Sequence, residues 1–248
     1  MACYHCGSEK LKKNGKSRGG KQQYVCHGCG RSSVANAQSG GHSEAFQEQI
    51  LALYFERPSM RGIQRSTGVS RQTLSRWLKK RDTQMRQENP RYLEPTLLPA
   101  QSDDVLELDE LWSFVLSKKQ AVWLWVALCR RTRQVVAWHW GDRSAATCRR
   151  LWEKIPASYQ KAFCYSDLWE AYQKVLPPKQ HQACGKEEGH TNHVERFNLT
   201  LRQRIGRLTR KSLSFSKSVL MHLIVFRLFL LRYNQHKAKH FIRLSMEH

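Results

Sequence analysis

The chain has 248 residues, which is enough for one large domain or for two to three small ones. Its 42 Lys and Arg residues against 20 Asp and Glu residues give a formal net charge of +22. So large an excess is untypical of an ordinary cytosolic enzyme and favours a polyanionic partner, either nucleic acid or an anionic membrane.

The basic charge is concentrated at the two ends of the chain. Residues 1–100 carry 17 basic and 7 acidic side chains, residues 101–189 carry 13 and 11, and residues 190–248 carry 12 and 2. Two flanks of net charge +10 therefore enclose a middle segment that holds most of the acids. A nucleic-acid-binding surface around an acidic reaction centre would have this distribution.

The start of the chain is polar and lacks the apolar stretch of a secretory signal peptide. The longest apolar run, 219–231, is interrupted by His222 and Arg227, which makes it too short and too polar for a bilayer. We therefore expect a cytosolic protein, or a nuclear one in a eukaryote, with no membrane partner. Eight cysteines in a reducing compartment indicate metal ligation or free thiols instead of disulfides.

Two Cys-x-x-Cys pairs near the start of the chain predict a structural zinc site. Cys3, Cys6, Cys26 and Cys29 offer four thiolates, which is a complete ligand set for tetrahedral zinc. Residues 1–35 contain little apolar sequence, so we expect metal binding to drive the folding of this zinc ribbon.

Two further features of this segment concern its ligands and its partner. His5 and His27 lie inside the cysteine pairs, and we interpret them as non-ligands because four thiolates already suffice. The interval between the pairs is strongly basic and predicts contact with DNA. Its basic side chains are Lys10, Lys12, Lys13, Lys16, Arg18 and Lys21.

A polar, glycine-containing linker at 32–43 leads to a predicted helix-turn-helix domain at 43–82. Ser43 would cap a first helix at 44–55, and Ser59 would cap a short second helix. Gly68-Val69-Ser70 forms a tight turn before a third helix at 71–80. A short helix, a turn with glycine and a polar basic helix are typical of helix-turn-helix domains.

The third helix carries side chains that suit base edges and phosphates. These candidate DNA contacts are Arg71, Gln72, Thr73, Ser75, Arg76, Lys79 and Lys80. A plain three-helix bundle with a solvated basic face is the alternative. Residues 83–102 contain three prolines and no clear periodicity, which predicts an interdomain linker.

The pattern changes to strands from residue 103, where a catalytic domain is predicted to extend to 248. Apolar runs at 105–115, 121–129 and 134–140, separated by polar breaks at 117–119 and 131–133, predict an antiparallel meander. A helix at 144–155, a buried strand at 162–166 and an amphipathic segment at 168–175 follow. A strand near 180–184 and a basic helix from Asn192 complete the series.

This order of elements is that of a ribonuclease H-like fold, in which one Asp on the first strand meets one Asp at the end of the fourth. Asp109 and Asp167 occupy those two places. Glu107 shares a strand face with Asp109, so it is a second candidate ligand or a supporting partner. A later helix supplies the third carboxylate, and spacing alone leaves Glu187, Glu188 and Glu195 open.

Carboxylates gathered in this way predict a divalent metal centre. Hard cations such as Mg²⁺ or Mn²⁺ prefer carboxylate oxygens, and two ions about 4 Å apart can activate water and stabilise the leaving oxygen of a phosphodiester. Three acids brought together without metal would repel one another, and their pKa values would rise.

The C-terminal flank predicts a basic helix that continues beyond Glu195 and a second helix at 216–234. Arginines beside the catalytic carboxylates would position phosphates. The candidates are Arg196, Arg202, Arg204, Arg207, Arg210 and Lys211. The second helix is interpreted as a cover for the sheet, with an oligomer contact as the alternative.

Three blocks of sequence resemble the transposases of the insertion sequence 1 family. They are Leu-Asp-Glu-Leu-Trp-Ser-Phe-Val at 108–115, Ser-Asp-Leu-Trp-Glu-Ala-Tyr at 166–172 and His-Val-Glu-Arg-Phe-Asn-Leu-Thr-Leu-Arg-Gln-Arg at 193–204. The match continues at 210–217, and the four-cysteine segment and helix-turn-helix pattern also fit the family. The third block is the most specific, and it selects Glu195 as the third carboxylate.

The resemblance implies a DDE triad of Asp109, Asp167 and Glu195 in a ribonuclease H-like core. It further implies an enzyme that binds the terminal inverted repeats of its element, cleaves a 3′ end and transfers it to target DNA. A homodimer or larger assembly on bacterial nucleoid DNA is expected, because two DNA ends must meet. The fold class is then multidomain, α+β and α/β, comprising a zinc ribbon, an all-α helix-turn-helix and a mixed-sheet core with C-terminal helices.

Two other functions and one other metal site remain as alternatives. A non-catalytic, sequence-specific DNA-binding regulator derived from a transposase is one, and a ribonuclease or resolvase on the same fold is the other. His181, Cys184, His190 and His193 could form a second metal site, although for His190 and His193 we favour surface positions or, for one of them, a place near the scissile phosphate.

Overall fold

The computed structural model describes residues 2–3, 5–17, 19–34, 42–209 and 213–247. They form two compact units, 1–47 and 48–248. The division falls inside the first predicted helix, and the finer domain boundaries named above stay a prediction.

The first unit contains a three-stranded antiparallel sheet in the order β1-β2-β3. The strands are β1 (Leu11–Lys16), β2 (Gln22–Cys26) and β3 (Ser32–Val34). All but one of the β1 side chains are exposed, as the basic sequence predicts for a segment with almost no apolar core. The hairpin instead places Cys26, the last residue of β2, opposite Leu11.

Three helices open the second part of the chain: α1 (Glu44–Tyr54), α2 (Met60–Thr67) and α3 (Arg71–Glu88). The predicted cap is confirmed at α2, where the Ser59 hydroxyl accepts from the backbone N–H of Gly62. Gly68 closes α2 with φ +74°, a left-handed conformation that glycine adopts without a Cβ clash. Ser70 then caps α3 by accepting from the backbone N–H of Thr73.

The predicted end of the third helix near residue 80 is wrong, because α3 continues to Glu88. Residues 81–88 contain neither glycine nor proline, and both Asp82 and Met85 are buried along the extension. Asp82 forms a bidentate ion pair with Arg227 of the last helix, at 2.5 and 2.7 Å. The first residues of the predicted linker are therefore helical.

A five-stranded mixed sheet with the order β6-β5-β4-β7-β8 forms the centre of the second unit. Its strands are β4 (Val105–Val115), β5 (Ser117–Cys129), β6 (Val135–Gly141), β7 (Phe163–Ser166) and β8 (His181–Ala183). The antiparallel meander of β4, β5 and β6 is confirmed. Strands β7 and β8 add in parallel, β7 directly beside β4.

The polar break predicted at 117–119 is wrong, because these residues belong to β5. The whole connection between β4 and β5 is Leu116, which adopts φ +65°. Leu116 has no sequence signal for a tight turn, since neither Gly nor Asn is present. The polar, exposed residues 117–119 therefore resemble a loop in sequence, although they are the solvated start of a long strand.

Four helices cover the sheet: α4 (Ala145–Trp152), α5 (Glu170–Val175), α6 (Asn192–Arg204) and α7 (Val219–Met246). Alternation along β4 sends Leu106 and Leu108 into the core with α4 and α5, where Trp125 contacts Tyr172 edge-to-face. The opposite face, which carries Glu107 and Asp109, meets α6.

Three of these helices have ends that differ from those predicted. Helix α4, predicted at 144–155, spans only Ala145–Trp152. Helix α6 stops at Arg204 because the chain turns against Arg57: a Cβ on Gly206 would lie 2.8 Å from the Arg57 carbonyl oxygen. Arg207 therefore lies on a separate short 3₁₀ helix, Gly206–Leu208. Helix α7 begins after its cap Ser218 and extends twelve residues past the predicted end at 234. Among the residues described, no helix combines the length and apolar character required to cross a membrane.

Candidate metal centres

The four cysteines predicted from their spacing come together in the first unit. The Sγ atoms of Cys3 and Cys29 lie 3.7 Å apart, and those of Cys6 and Cys26 lie 3.6 Å apart. All four sulfur atoms lie within 4.8 Å of one another. Tetrahedral zinc with Zn–S bonds of about 2.3 Å places its sulfurs about 3.8 Å apart, so this cluster has the dimensions of a zinc site.

The backbone around the cysteines is shaped to present thiolates. Gly7 and Gly30 follow the two pairs with φ +73° and +70°, which lets each loop turn back tightly. The backbone N–H of His5 points to Cys3 Sγ at 3.4 Å, and that of Gly28 points to Cys26 Sγ at 3.3 Å. N–H groups directed at sulfur stabilise the charged thiolate, which is the form that binds metal.

A carboxylate cluster lies where strand β7 ends beside the longer strand β4. The parallel register pairs Leu108 of β4 with Ser166 of β7. The residue that follows each of them is an aspartate: Asp109 on β4 and Asp167 after the end of β7. Glu110 reaches the same point, and one oxygen from each of the three acids lies within 4.8 Å of the others. The structure thus brings Asp109 and Asp167 together, with Glu110 as a third acid that the sequence did not select.

The electrostatics of this cluster favour a cation. Burial raises the pKa of Asp109 to about 7, and the adjacent Glu110 carboxylate adds to the shift. Burial, followed by repulsion from Asp167, also raises the pKa of Glu110. Asn198 donates to Asp109 Oδ2 at 2.7 Å, while its own buried Oδ1 has no partner in the described part of the chain. Oxygens of this kind fit a hard divalent ion and a bound water.

Glu195 lies in the first turn of α6 and is not part of the three-acid cluster. Its Oε1 accepts a hydrogen bond from the Thr191 hydroxyl at 3.0 Å. Asn198, three residues further along the helix, contacts Asp109. Because residues three apart share a helix face, with Cβ atoms about 5–6 Å from each other, Glu195 is on the side of α6 that faces the cluster.

Glu107 is fully buried and holds the N-terminus of α6 instead of joining the cluster. Its Oε2 accepts from the backbone N–H groups of His193 and Val194, at 2.9 and 3.1 Å. Its Oε1 contacts the His193 ring at 2.6 Å and the Arg130 guanidinium at 2.8 Å. A carboxylate at a helix N-terminus satisfies orphan N–H groups and complements the helix dipole. Glu107 therefore fixes the helix that carries Glu195 and Asn198 against β4.

The alternative second metal site, made of His181, Cys184, His190 and His193, is not assembled among the residues described. His181 Nε2 contacts the Ser166 hydroxyl at 2.8 Å, and the Cys184 thiol points to the Ser166 carbonyl oxygen. The His190 ring stacks on Tyr165 with centroids 4.3 Å apart. Each of these side chains thus has its own structural contact.

The candidate DNA contacts on α3 divide by exposure. Arg71, Gln72, Arg76, Lys79 and Lys80 are exposed. Thr73 and Ser75 are half-buried: the Thr73 hydroxyl accepts from Ser70, and the Ser75 hydroxyl points to the Met221 sulfur.

Arg196 is exposed on α6, whereas the next three arginines make contacts within the protein. Arg202 donates to the carbonyl oxygens of Leu208 and Trp112. Arg204 forms an ion pair with Glu56, and Arg207 donates to the Tyr54 hydroxyl. These contacts hold α1 and the loop after it to the end of α6. Arg210 and Lys211 lie outside the described residues.

Comparison with known proteins points to one family. Residues 105–236 match the family model described as IS1 transposase. The InsB protein of insertion element iso-IS1n from Shigella dysenteriae is 42% identical over 118 residues, which are 48% of this chain and 87% of that protein. The InsB protein of insertion element IS1 9 from Escherichia coli K12 is 35% identical over 149 residues, 59% of this chain and 86% of that protein. The matched segment includes the carboxylate cluster and Glu195, whereas the cysteine cluster precedes it.

Proposed function

Because this chain belongs to the IS1 transposase family, we propose that it binds the terminal inverted repeats of its own element, cleaves a 3′ end and transfers that end to target DNA. Membership makes it a transposase and a DNA-binding protein. We propose the reaction steps above and the residues that bind DNA and catalyse cleavage.

The convergence of Asp109 and Asp167 at the end of β7 carries the proposal. We assign these two acids and Glu195 as a DDE triad. The strand order β6-β5-β4-β7-β8, with an antiparallel meander and parallel outer strands, supports assignment of a ribonuclease H-like fold. Ligands at sheets of this kind gather beyond the carboxyl ends of parallel strands, where Asp167 lies.

Two Mg²⁺ or Mn²⁺ ions bound there would activate water and stabilise the leaving oxygen of the scissile phosphodiester. The protein supplies the oxygens of Asp109 and Asp167, and Glu195 can approach from the facing side of α6. Asn198 orients the Asp109 carboxylate through its amide hydrogen. Glu107 keeps α6 at the distance from β4 that this contact requires.

We propose that α2 and α3 form a helix-turn-helix that reads the element ends through Arg71, Gln72, Arg76, Lys79 and Lys80, which are exposed. The left-handed Gly68 between two capped helices supports this assignment. Two DNA ends must be joined in one reaction, so we also propose a homodimer or larger assembly on DNA.

A strand-transfer assay with Mg²⁺ or Mn²⁺ and duplexes carrying the sequences that flank the reading frame tests the proposed activity. Asp167→Asn is expected to lower cleavage by about 1000-fold, because a metal ligand is lost. DNA binding should remain, since the helix-turn-helix is untouched. Asp103→Asn removes an exposed Asp near the start of β4 and serves as the matched control. A wild-type protein that binds these ends yet is as inert as Asp167→Asn would instead indicate a non-catalytic regulator.

We also propose that the cysteine cluster binds structural zinc, and Cys26→Ser tests it. Metal binding contributes a folding free energy on the order of 10 kcal/mol in small zinc modules, so loss of one thiolate should release the ion and unfold β1–β3. Zinc content by elemental analysis and strand signal by circular dichroism report the change. Cys184→Ser is the control, because its hydroxyl can still donate to the Ser166 carbonyl oxygen. A full equivalent of zinc retained in Cys26→Ser would contradict the assignment.

A further inference from the structure

We infer that Arg143 binds a backbone phosphate of the DNA strand beside the scissile bond, an inference that rests on the proposed cleavage activity. Arg143 lies in the loop between β6 and α4, more than twenty residues before Asp167 in the chain. Its guanidinium nevertheless borders the carboxylate cluster, where Nε and Nη2 donate to Glu110 Oε1 at 2.8 and 2.6 Å.

The guanidinium contacts two tryptophan rings. Its central carbon is 4.0 Å from the centroid of the Trp169 ring and 4.7 Å from that of Trp123. These two cation–π contacts restrain the position of the group. Glu110 engages two of its five N–H donors, and 36% of the side chain is exposed. Exposed donors on a planar cation are suited to a phosphate, which arginine can bind in a bidentate manner.

The loop that carries Arg143 is held from several sides. The Trp125 indole donates to the Asp142 carbonyl oxygen at 2.9 Å, and the Trp169 indole donates to that of Arg143 at 3.3 Å. The Asp142 carboxylate accepts from the hydroxyls of Ser144 and Thr147 at the start of α4. A cation fixed in this way loses little conformational entropy when a ligand binds. Its position is therefore set before DNA arrives.

The position beside the cluster determines which phosphate Arg143 can take. The metal ions held by Asp109 and Asp167 would engage the phosphate that is cut, so the neighbouring guanidinium is left for a flanking one. The same contact orients the strand relative to the carboxylates, which is a positioning effect on the reaction.

A second arginine provides a matched comparison. Arg131 also pairs with a buried acid, Asp104, at 2.7 Å, and its guanidinium also approaches an aromatic ring, that of Phe241. Asp104 precedes β4, about 20 Å along the strand from Glu110 at roughly 3.3 Å per residue. Arg131 thus shares the chemistry of Arg143 but lies away from the cluster.

The test is a chemical scan of the DNA backbone with the full-length, zinc-loaded protein. Duplexes carrying the flanking sequence of the element receive one neutral methylphosphonate at a time, at each of the three phosphates on either side of the cleaved one. Single-turnover cleavage is measured for wild type, Arg143→Gln and Arg131→Gln. Arg143→Gln is expected to cleave the unmodified duplex about 100-fold more slowly, the loss typical of removing one preorganised donor.

At one flanking position the methylphosphonate should slow wild type and Arg131→Gln but leave Arg143→Gln unchanged, because its contact is already missing. Methylphosphonates that slow Arg143→Gln as much as wild type at every position would overturn the inference, and so would wild-type rates in Arg143→Gln. If Arg143→Gln fails to fold, Arg143→Lys repeats the scan with the charge kept and the planar fork removed. An inert wild type on unmodified DNA would instead contradict the proposed function.

Discussion

Glu195→Gln is expected to lower strand cleavage by about 1000-fold, equivalent to about 4 kcal/mol of transition-state stabilisation. Glutamine keeps the size of the side chain and can still accept from the Thr191 hydroxyl, so helix α6 should keep its place. The substitution removes the negative charge with which Glu195 is proposed to bind metal. Glu195 is one turn before Asn198, the residue that contacts Asp109, and therefore lies on the same side of α6.

The competing third ligand is Glu110, which already lies within 4.8 Å of both aspartates. Its oxygens are engaged by the Tyr172 hydroxyl at 2.8 Å and by Arg143, and this favours a structural carboxylate. Single-turnover cleavage and Mn²⁺ binding by calorimetry should therefore separate Glu195→Gln from Glu110→Gln. Glu188→Gln, on the loop before α6, is the control. Loss of Mn²⁺ binding in Glu110→Gln with full activity in Glu195→Gln would transfer the third position to Glu110.

The sequence predicts that Asp109 and Asp167 lie close together, because the positions of the strands that carry them can be located from apolar runs. Asp167 ends an apolar run, and Asp109 lies within another, so their meeting requires only that the two strands be neighbours. Glu110 has no such signal, because strict alternation places it on the opposite face of β4 from Asp109. Between the end of β7 and the bridge of Val115 to Ser216, no strand of the described chain pairs with that edge of β4, and adjacent side chains from both faces can reach one point. The end of β7 beside the longer β4 depends on how the two strands pair in the sheet, and the sequence of either strand alone does not reveal it.

The contacts of the arginines could not be predicted from the sequence, because their partners are distant in the chain. Charge alone predicts phosphate contacts for Arg202, Arg204 and Arg207. Arg204 and Arg207 instead meet Glu56 and Tyr54, about 150 positions earlier in the chain. Arg143 has no recognisable sequence signal, because its environment of Trp123, Trp169 and Glu110 is formed only by the tertiary structure. Local pattern thus predicted that Asp109 and Asp167 meet and that the four cysteines meet, whereas the contacts of the arginines depend on tertiary structure.

Glu107→Ala is expected to reduce the free energy of unfolding by about 3–5 kcal/mol, the usual cost of removing one partner from a buried charged pair. The substitution leaves Arg130 without its carboxylate partner and leaves the N–H groups of His193 and Val194 unsatisfied at the start of α6. Glu107→Gln should lose less, because its amide oxygen can still accept from the helix. Denaturant unfolding of the metal-free protein measures both, and Glu88→Ala, at the exposed end of α3, gives the baseline.

The same pair of variants decides whether Glu107 acts as a metal ligand or as an anchor for α6. An anchor predicts that stability falls in the order wild type, Gln, Ala without any metal present, and that cleavage falls with it because Glu195 and Asn198 shift together. A ligand predicts unchanged stability of the metal-free protein and weaker Mn²⁺ binding in Glu107→Gln. The four hydrogen bonds to Glu107 favour the first outcome, since they occupy both carboxylate oxygens. Through the N-terminus of α6, the buried Glu107 carboxylate of β4 thus sets where Glu195 and Asn198 lie relative to the carboxylate cluster.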